Sequence, residues 1–222
     1  MISVAITAVP SRAEHVAQLV AQLEAERQFH RDEFPLPVEV FTDTDKLGCW
    51  GNARLAWARG AALGFDAHLV IQDDVVLSQD FLGGVAFLHA MKPTFPMSFF
   101  RLAGVDAARR ENRHWVFVTR FLMAQALLMP KDVAQGFVPW ADSYAGSPTG
   151  DYWAHSCDGR QRDYFRALKL RVYQPVPSLV DHRAIKSTLG NPSGRLAKWF
   201  IGVNESWRTV DWSRGADDPQ RG

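Results

Sequence analysis

His68-Leu69-Val70-Ile71-Gln72-Asp73-Asp74-Val75-Val76-Leu77 is an apolar run broken by two adjacent carboxylates. Its length and composition predict a buried strand. Paired carboxylates repel one another and lose hydration when buried, so they do not belong in a strand interior. They mark its carboxyl end, where a divalent cation, or arginine and backbone donors, offsets the cost. In an open α/β sheet that end faces the crevice where ligands bind. A plain turn after the strand is the alternative reading of the same two residues.

Upstream, residues 2–8 are short, β-branched and apolar, and they stop at Val9-Pro10-Ser11-Arg12, where a loop should lead into a helix. Over residues 13–28, Val16, Leu19, Val20 and Leu23 recur at helical spacing, with Glu14, Gln18, Gln22 and Glu26 on the other face. Pro35 and Pro37 precede a second strand over 38–43. Gly48-Cys49-Trp50-Gly51-Asn52 opens a second helix that breaks at Gly64, ahead of the aspartate-ended strand. Two β-α-β units in succession predict a mostly parallel sheet with helices on both faces.

The second half is less regular. A helix is expected to about Met91, strands over 98–102, 115–119 and 170–173, an apolar stretch over 121–129, and a helix from Asp151 through Leu168. Residues 136–140 are read as leading into a Gly/Ser/Pro loop, and the tail from Gly190 shows no periodicity.

The length of 222 residues suits one sizeable domain, and 47% hydrophobic with 22% charged residues excludes a disordered or membrane-spanning chain. A formal charge of +1 supplies no global field toward nucleic acid or acidic lipid, so any basic site is local. Cys49 and Cys157 are too few for a disulfide scaffold or thiolate zinc site and are read as free thiols. The first residues lack a basic leader, and no apolar stretch has membrane-span length, so a soluble cytoplasmic protein without a membrane span is expected.

The order of parts carries a resemblance. Pro10-Ser11-Arg12 after strand one, Thr42-Asp43 after strand two, Asn52 and Arg54 in a helix opening, Gln72-Asp73-Asp74-Val75, Gly150-Asp151-Tyr152-Trp153 and Ser178-Leu179-Val180-Asp181-His182 follow one another. In this order the chain resembles nucleotide-sugar glycosyltransferases of the GT-A fold, the small bacterial and phage enzymes allied to families 2 and 25. The resemblance implies an α/β, Rossmann-like fold in a single domain over residues 1–215. Its parts would be a nucleotide-binding half (1–100), an acceptor and metal half (101–190), and a tail or lid (190–215), with residues 216–222 disordered.

It further implies Mn2+ or Mg2+ held by Asp74 and His182, with Asp181 orienting the imidazole. Gln72 stands where many members carry an acid. Ser11, Arg12, Asp43, Asn52, Arg54 and Asp73 would bind a nucleoside-diphosphate-sugar donor, and Asp151 would be the general base. Trp140, Asp142 and Trp153 would meet a hydroxyl acceptor, a saccharide or a hydroxymethylated DNA base. Residue by residue, capping and solvated surface are the competing readings: Asp43 as a turn residue, Asp151 as an N-cap, and Asn52 with Arg54 as cap and exposed face. The basic residues Arg183, Lys186, Arg195 and Lys198 would grip diphosphate from a lid. Sugar-phosphate nucleotidyl transfer and non-catalytic nucleotide or sugar binding are the competing functions. The first normally uses a Gly-rich basic loop, where this chain has only Val9-Pro10-Ser11-Arg12.

Overall fold

The computed structural model describes residues 1–118, 124–145, 156–183 and 196–215. In chain order its elements are β1 (Ile2–Ala8), α1 (Ala13–Arg27), β2 (Glu39–Thr42), α2 (Gly48–Leu63), β3 (Ala67–Gln72), β4 (Val75–Leu77), α3 (Phe81–Met91), β5 (Met97–Ser98), α4 (Val105–Arg110), β6 (Trp115–Val118), β7 (Ala126–Pro130), α5 (Lys131–Asp142), α6 (Cys157–Ala167), β8 (Val172–Pro175) and β9 (Val180–His182).

Strand periodicity sorts the core into two layers. Ile2, Val4, Ile6 and Ala8 of β1, with Leu69 and Ile71 of β3, join Val16, Leu19 and Leu23 of α1 and Phe81, Leu82, Val85 and Leu88 of α3. Ala5 and Val70, pointing the other way, join Ala53, Ala56 and Trp57 of α2, Phe137 of α5 and Phe165 of α6. Burial on both faces explains why β1 and β3 are nearly continuous apolar runs.

The seven-stranded sheet has the order β2-β1-β3-β7-β5-β8-β6. β1 is parallel to β2 and β3, and β5 is parallel to β8, whereas β7 opposes β3 and β5, and β6 opposes β8. The sheet is thus mixed and mostly parallel, a single α/β domain as the sequence predicts. The carboxyl ends of β2, β1 and β3 share one edge. β4 leaves the sheet there and pairs antiparallel with β9.

α2 shows how local sequence fixes the geometry. Both carboxylate oxygens of Asp43 accept from its amino end, at 2.6 Å from Leu47 N–H and 3.0 Å from Gly48 N–H. Gly64, at φ 67°, ends it in the left-handed conformation that glycine adopts without strain. Between these ends α2 approaches β3 so closely that a Cβ on Gly60 would lie 2.0 Å from the His68 ring.

Several elements differ from expectation. The strand expected over 98–102 is only β5. Its continuation turns to residues 178–180, where Phe99 C=O accepts from Leu179 and Val180 N–H and Arg101 N–H donates to Ser178 Oγ. The helix expected from Asp151 is described from Cys157, with Ser156 as its N-cap, whose hydroxyl accepts from Gly159 N–H at 3.0 Å. Residues 136–140, read only as leading into a loop, lie in the last turns of α5. The aperiodic tail contributes Trp207 and Trp212 to the core, Trp115 Nε1–H donating to Trp212 C=O at 2.6 Å. Large aromatics stitched singly onto a formed surface need no periodicity.

Candidate active site

Parallel register assembles the site. With Thr7 opposite Gln72, the turn after β3 sits beside the turn after β1. Val9 N–H donates to Asp73 Oδ2 at 2.7 Å, and the Arg12 guanidinium donates to Asp73 Oδ1. The same Nη1 lies 3.0 Å from Asp74 Oδ2, so one arginine bridges both carboxylates. The β4–β9 ladder then brings a residue from far along the chain. Val75 faces His182, Arg183 N–H donates to Asp74 C=O at 2.7 Å, and His182 Nε2 lies 3.3 Å from Asp74 Oδ2.

The two aspartates are not equivalent. Asp73 has both oxygens engaged. Asp74 shares Oδ2 between Arg12 and His182, and its Oδ1 is buried with no hydrogen-bond partner. Burial pushes both carboxyls up. For Asp73, Val9 N–H and Arg12 offset this only in part, and its pKa stays raised. For Asp74, the hydrogen bond and charge of His182, with Arg12, outweigh burial and hold it below the ordinary range. The contact with Asp74 raises His182 against the opposing effect of burial.

His182 Nδ1 faces Arg183 C=O at 2.6 Å. With Nδ1–H donating to that carbonyl, Nε2 is the nitrogen that faces Asp74, and its proton is the one shared with that carboxylate. Loss of this proton would free the Nε2 lone pair for a cation, in the arrangement by which a backbone carbonyl orients a metal-binding imidazole. The orphaned Asp74 oxygen and this nitrogen fit a divalent cation that takes its remaining ligands from substrate. Among the described residues, no three His, Cys, Asp or Glu side chains form a complete metal cage. Asp181 Oδ1 accepts from His182 N–H at 2.8 Å and from Ala197 N–H at 2.5 Å. It braces the backbone of β9, whereas the imidazole is oriented by Arg183 C=O.

Arg12, Asp43, Asn52, Asp73 and Asp74 line a cavity of about 270 Å3, together with Gln72, Cys49, Cys157, Trp57 and Gln161. The Asn52 amide donates to Ala8 C=O at 3.2 Å and Phe41 C=O at 2.8 Å, tying α2 to the ends of β1 and β2. Ser11 is exposed in a 3-10 turn and does not line the cavity. Arg54 and Asp142 also lie outside it, bound to each other at 2.7 and 2.6 Å across exposed faces of α2 and α5. Trp140 stacks on Tyr144 with centroids 4.8 Å apart. Asp151, Trp153, Lys186 and Arg195 fall outside the described residues. Cys49, Cys157, Trp57 and Gln161 escape sequence reasoning: only tertiary packing of α2 against α6 makes them neighbours. Cys157 and Gln161 share one face of α6 at i,i+4 spacing, a pattern indistinguishable from ordinary core.

No protein-family model matches the sequence, and no curated protein matches it either. Among solved structures it is similar to A197 from STIV, with 11% identity over 91% of this chain and 97% of that one, at a TM-score of 0.46. It is also similar to a protein assigned as a glucose-1-phosphate thymidylyltransferase from Bacillus anthracis, in complex with a sucrose, with 11% identity over 78% and 87% of the two chains at 0.43. A mannose-1-phosphate geranyltransferase from Thermus thermophilus gives 11% identity over 79% and 74% at 0.35. No helix of the described residues is long and apolar enough to cross a membrane.

Proposed function

We propose that the chain is a metal-dependent glycosyltransferase, moving a sugar from a nucleoside diphosphate to a hydroxyl acceptor, a saccharide or a hydroxymethylated DNA base, with inversion at the anomeric carbon. The observation that carries this reading is the asymmetric aspartate pair. Asp73 is closed by Val9 and Arg12, while Asp74, beside His182, keeps a buried unpartnered oxygen on the wall of a cavity. Mn2+ or Mg2+, when bound, would be held by Asp74 and His182 and would neutralise the departing diphosphate.

The chain's own residues divide the remaining work. Arg12, whose charge the two carboxylates share, is the cation in reach of phosphate oxygens. Asp73 keeps Arg12 aimed at the cavity. Asp43 and Asn52 keep the start of α2 against the ends of β1 and β2, which defines the nucleoside end. Asp151 is the base that takes the acceptor hydroxyl proton, and Trp140, Asp142 and Trp153 flank the acceptor. An acceptor role for Asp142 requires its pair with Arg54 to open.

The test is product analysis with a panel of nucleoside-diphosphate sugars and Mn2+. Release of nucleoside diphosphate with sugar transfer is expected, and Asp151→Asn should keep donor binding while lowering transfer by about 10²–10⁴-fold. Release of pyrophosphate from a nucleoside triphosphate and a sugar phosphate would instead establish nucleotidyl transfer.

A further inference from the structure

The only two cysteines of the chain meet in the candidate site. Cys49 lies in the first turn of α2 and Cys157 is the first residue of α6. The two helices pack on the same face of the sheet, both cysteines line the one cavity, and each thiol is the other's foremost electrostatic neighbour. Their settings differ: Cys49 is exposed and Cys157 buried. The interaction with Cys157 lowers the Cys49 pKa against burial and the nearby Asp158 and Asp74 carboxylates, while the same interaction and burial raise that of Cys157. An accessible thiol with thiolate character, in contact with a second thiol, is the arrangement in which oxidation ends in a cross-link and not in over-oxidised sulfur.

We propose that Cys49 and Cys157 form a reversible disulfide that latches the starts of α2 and α6 together and shuts the cavity to its ligand. The oxidant is a hydroperoxide. The Cys49 thiolate attacks the peroxide oxygen and displaces hydroxide, giving a sulfenic acid. The Cys157 sulfur then attacks Cys49 sulfur, and the sulfenic hydroxyl leaves as water with the Cys157 proton, while the hydroxide from the first step takes up the proton that Cys49 gave up on ionising. Two thiols are oxidised, and hydrogen peroxide is reduced to two waters. A dithiol reductant reverses the bond by exchange. In the reduced protein the two helix starts are held by noncovalent contacts, among them the Asp43 and Ser156 caps, the Asn52 amide on Ala8 and Phe41 C=O, and the Arg160 guanidinium 5.0 Å from the Trp50 ring. A covalent bond across them removes their freedom to spread around a bound group. The ligand half of this inference rests on the proposed nucleoside-diphosphate site, whereas the cross-link itself does not.

The full chain is treated with stoichiometric hydrogen peroxide, then alkylated, and its mass and peptides are measured. A loss of about 2 Da, reversed by dithiothreitol, and a Cys49–Cys157 peptide are expected. Cys49→Ser should form no cross-link. Sulfinic or sulfonic acid at Cys49, with Cys157 still alkylatable after unfolding, would overturn the pairing. Hydrogen exchange over residues 47–53 and 156–161 should slow on oxidation whether or not any nucleotide binds, and unchanged exchange would overturn the latch. Uridine, thymidine and guanosine diphosphates with Mn2+ are then titrated into both forms. Binding at least about tenfold weaker after oxidation is expected, and equal affinity overturns closure. If neither form binds any of them, the nucleotide reading fails, and the exchange result alone decides the latch.

Discussion

Two buried polar clusters bridge β1 and β3, one within the sheet and one at its edge, and only the first is closed. Within the sheet, Ser3 sits opposite His68. Ser3 Oγ lies 2.7 Å from His68 Nδ1, and His68 Nε2 lies 3.0 Å from Ala56 C=O. With Nε2–H donating and Nδ1 accepting, both ring nitrogens are satisfied by a neutral imidazole, which packs edge-on against Trp57. At the edge, Arg12, Asp73, Asp74 and His182 are ionisable, and one carboxylate oxygen has no partner. A closed neutral cluster specifies packing. An open charged one carries a desolvation cost that a ligand can relieve.

The largest effect is expected from Arg12→Met, which leaves two buried carboxylates adjacent without their shared cation. Removing one partner of a buried ion pair costs about 3–5 kcal/mol, so the unfolding midpoint in denaturant should drop sharply, and Mn2+ should restore part of it. A loss below about 1 kcal/mol would mean the edge cluster is well solvated and carries no desolvation cost for a ligand to relieve.

Gly60→Ala breaks the closed cluster instead. The new methyl overlaps the His68 ring, which is hydrogen-bonded on both sides and cannot swing away, so about 3 kcal/mol of stability should be lost by overpacking. Wild-type-like thermal unfolding would show that α2 slides freely over β3.

The closed cluster also sets a pH dependence. Burial lowers the His68 pKa to about 4 from 6.5, so between those values the unfolded chain binds a proton that the folded chain does not. Stability is therefore lost as pH falls through that window, by about 3 kcal/mol from this group. His68→Gln should flatten that part of the stability–pH curve, and parallel curves for both proteins would remove His68 as its source.

The same contrast explains what is legible in the sequence. Asp73-Asp74 stands out because a charged pair ending an apolar run violates strand patterning, and β-α-β alternation fixes which edge it faces. α1, α2 and α3 are readable from local spacing and the Gly64 stop. By contrast, β4–β9 pairing, the burial of Trp207 and Trp212, and the meeting of Cys49 with Cys157 depend on contacts between residues far apart in the chain, which leave no local period. Arg54 and Asp142 look like separate ligand-binding groups because each is polar near an element end. Only the packing of α2 on α5 reveals that each is the other's partner.

The most direct test of the open edge is calorimetric titration of a nucleoside diphosphate into the reduced protein and into Asp74→Asn, each with and without Mn2+. Diphosphate should bind the unaltered protein only in the presence of the cation, and Asp74→Asn should weaken that binding at least about tenfold, near 1.4 kcal/mol. Equal affinity in both proteins, with and without Mn2+, would contradict the assignment of Asp74 as the carboxylate that holds the cation against the diphosphate.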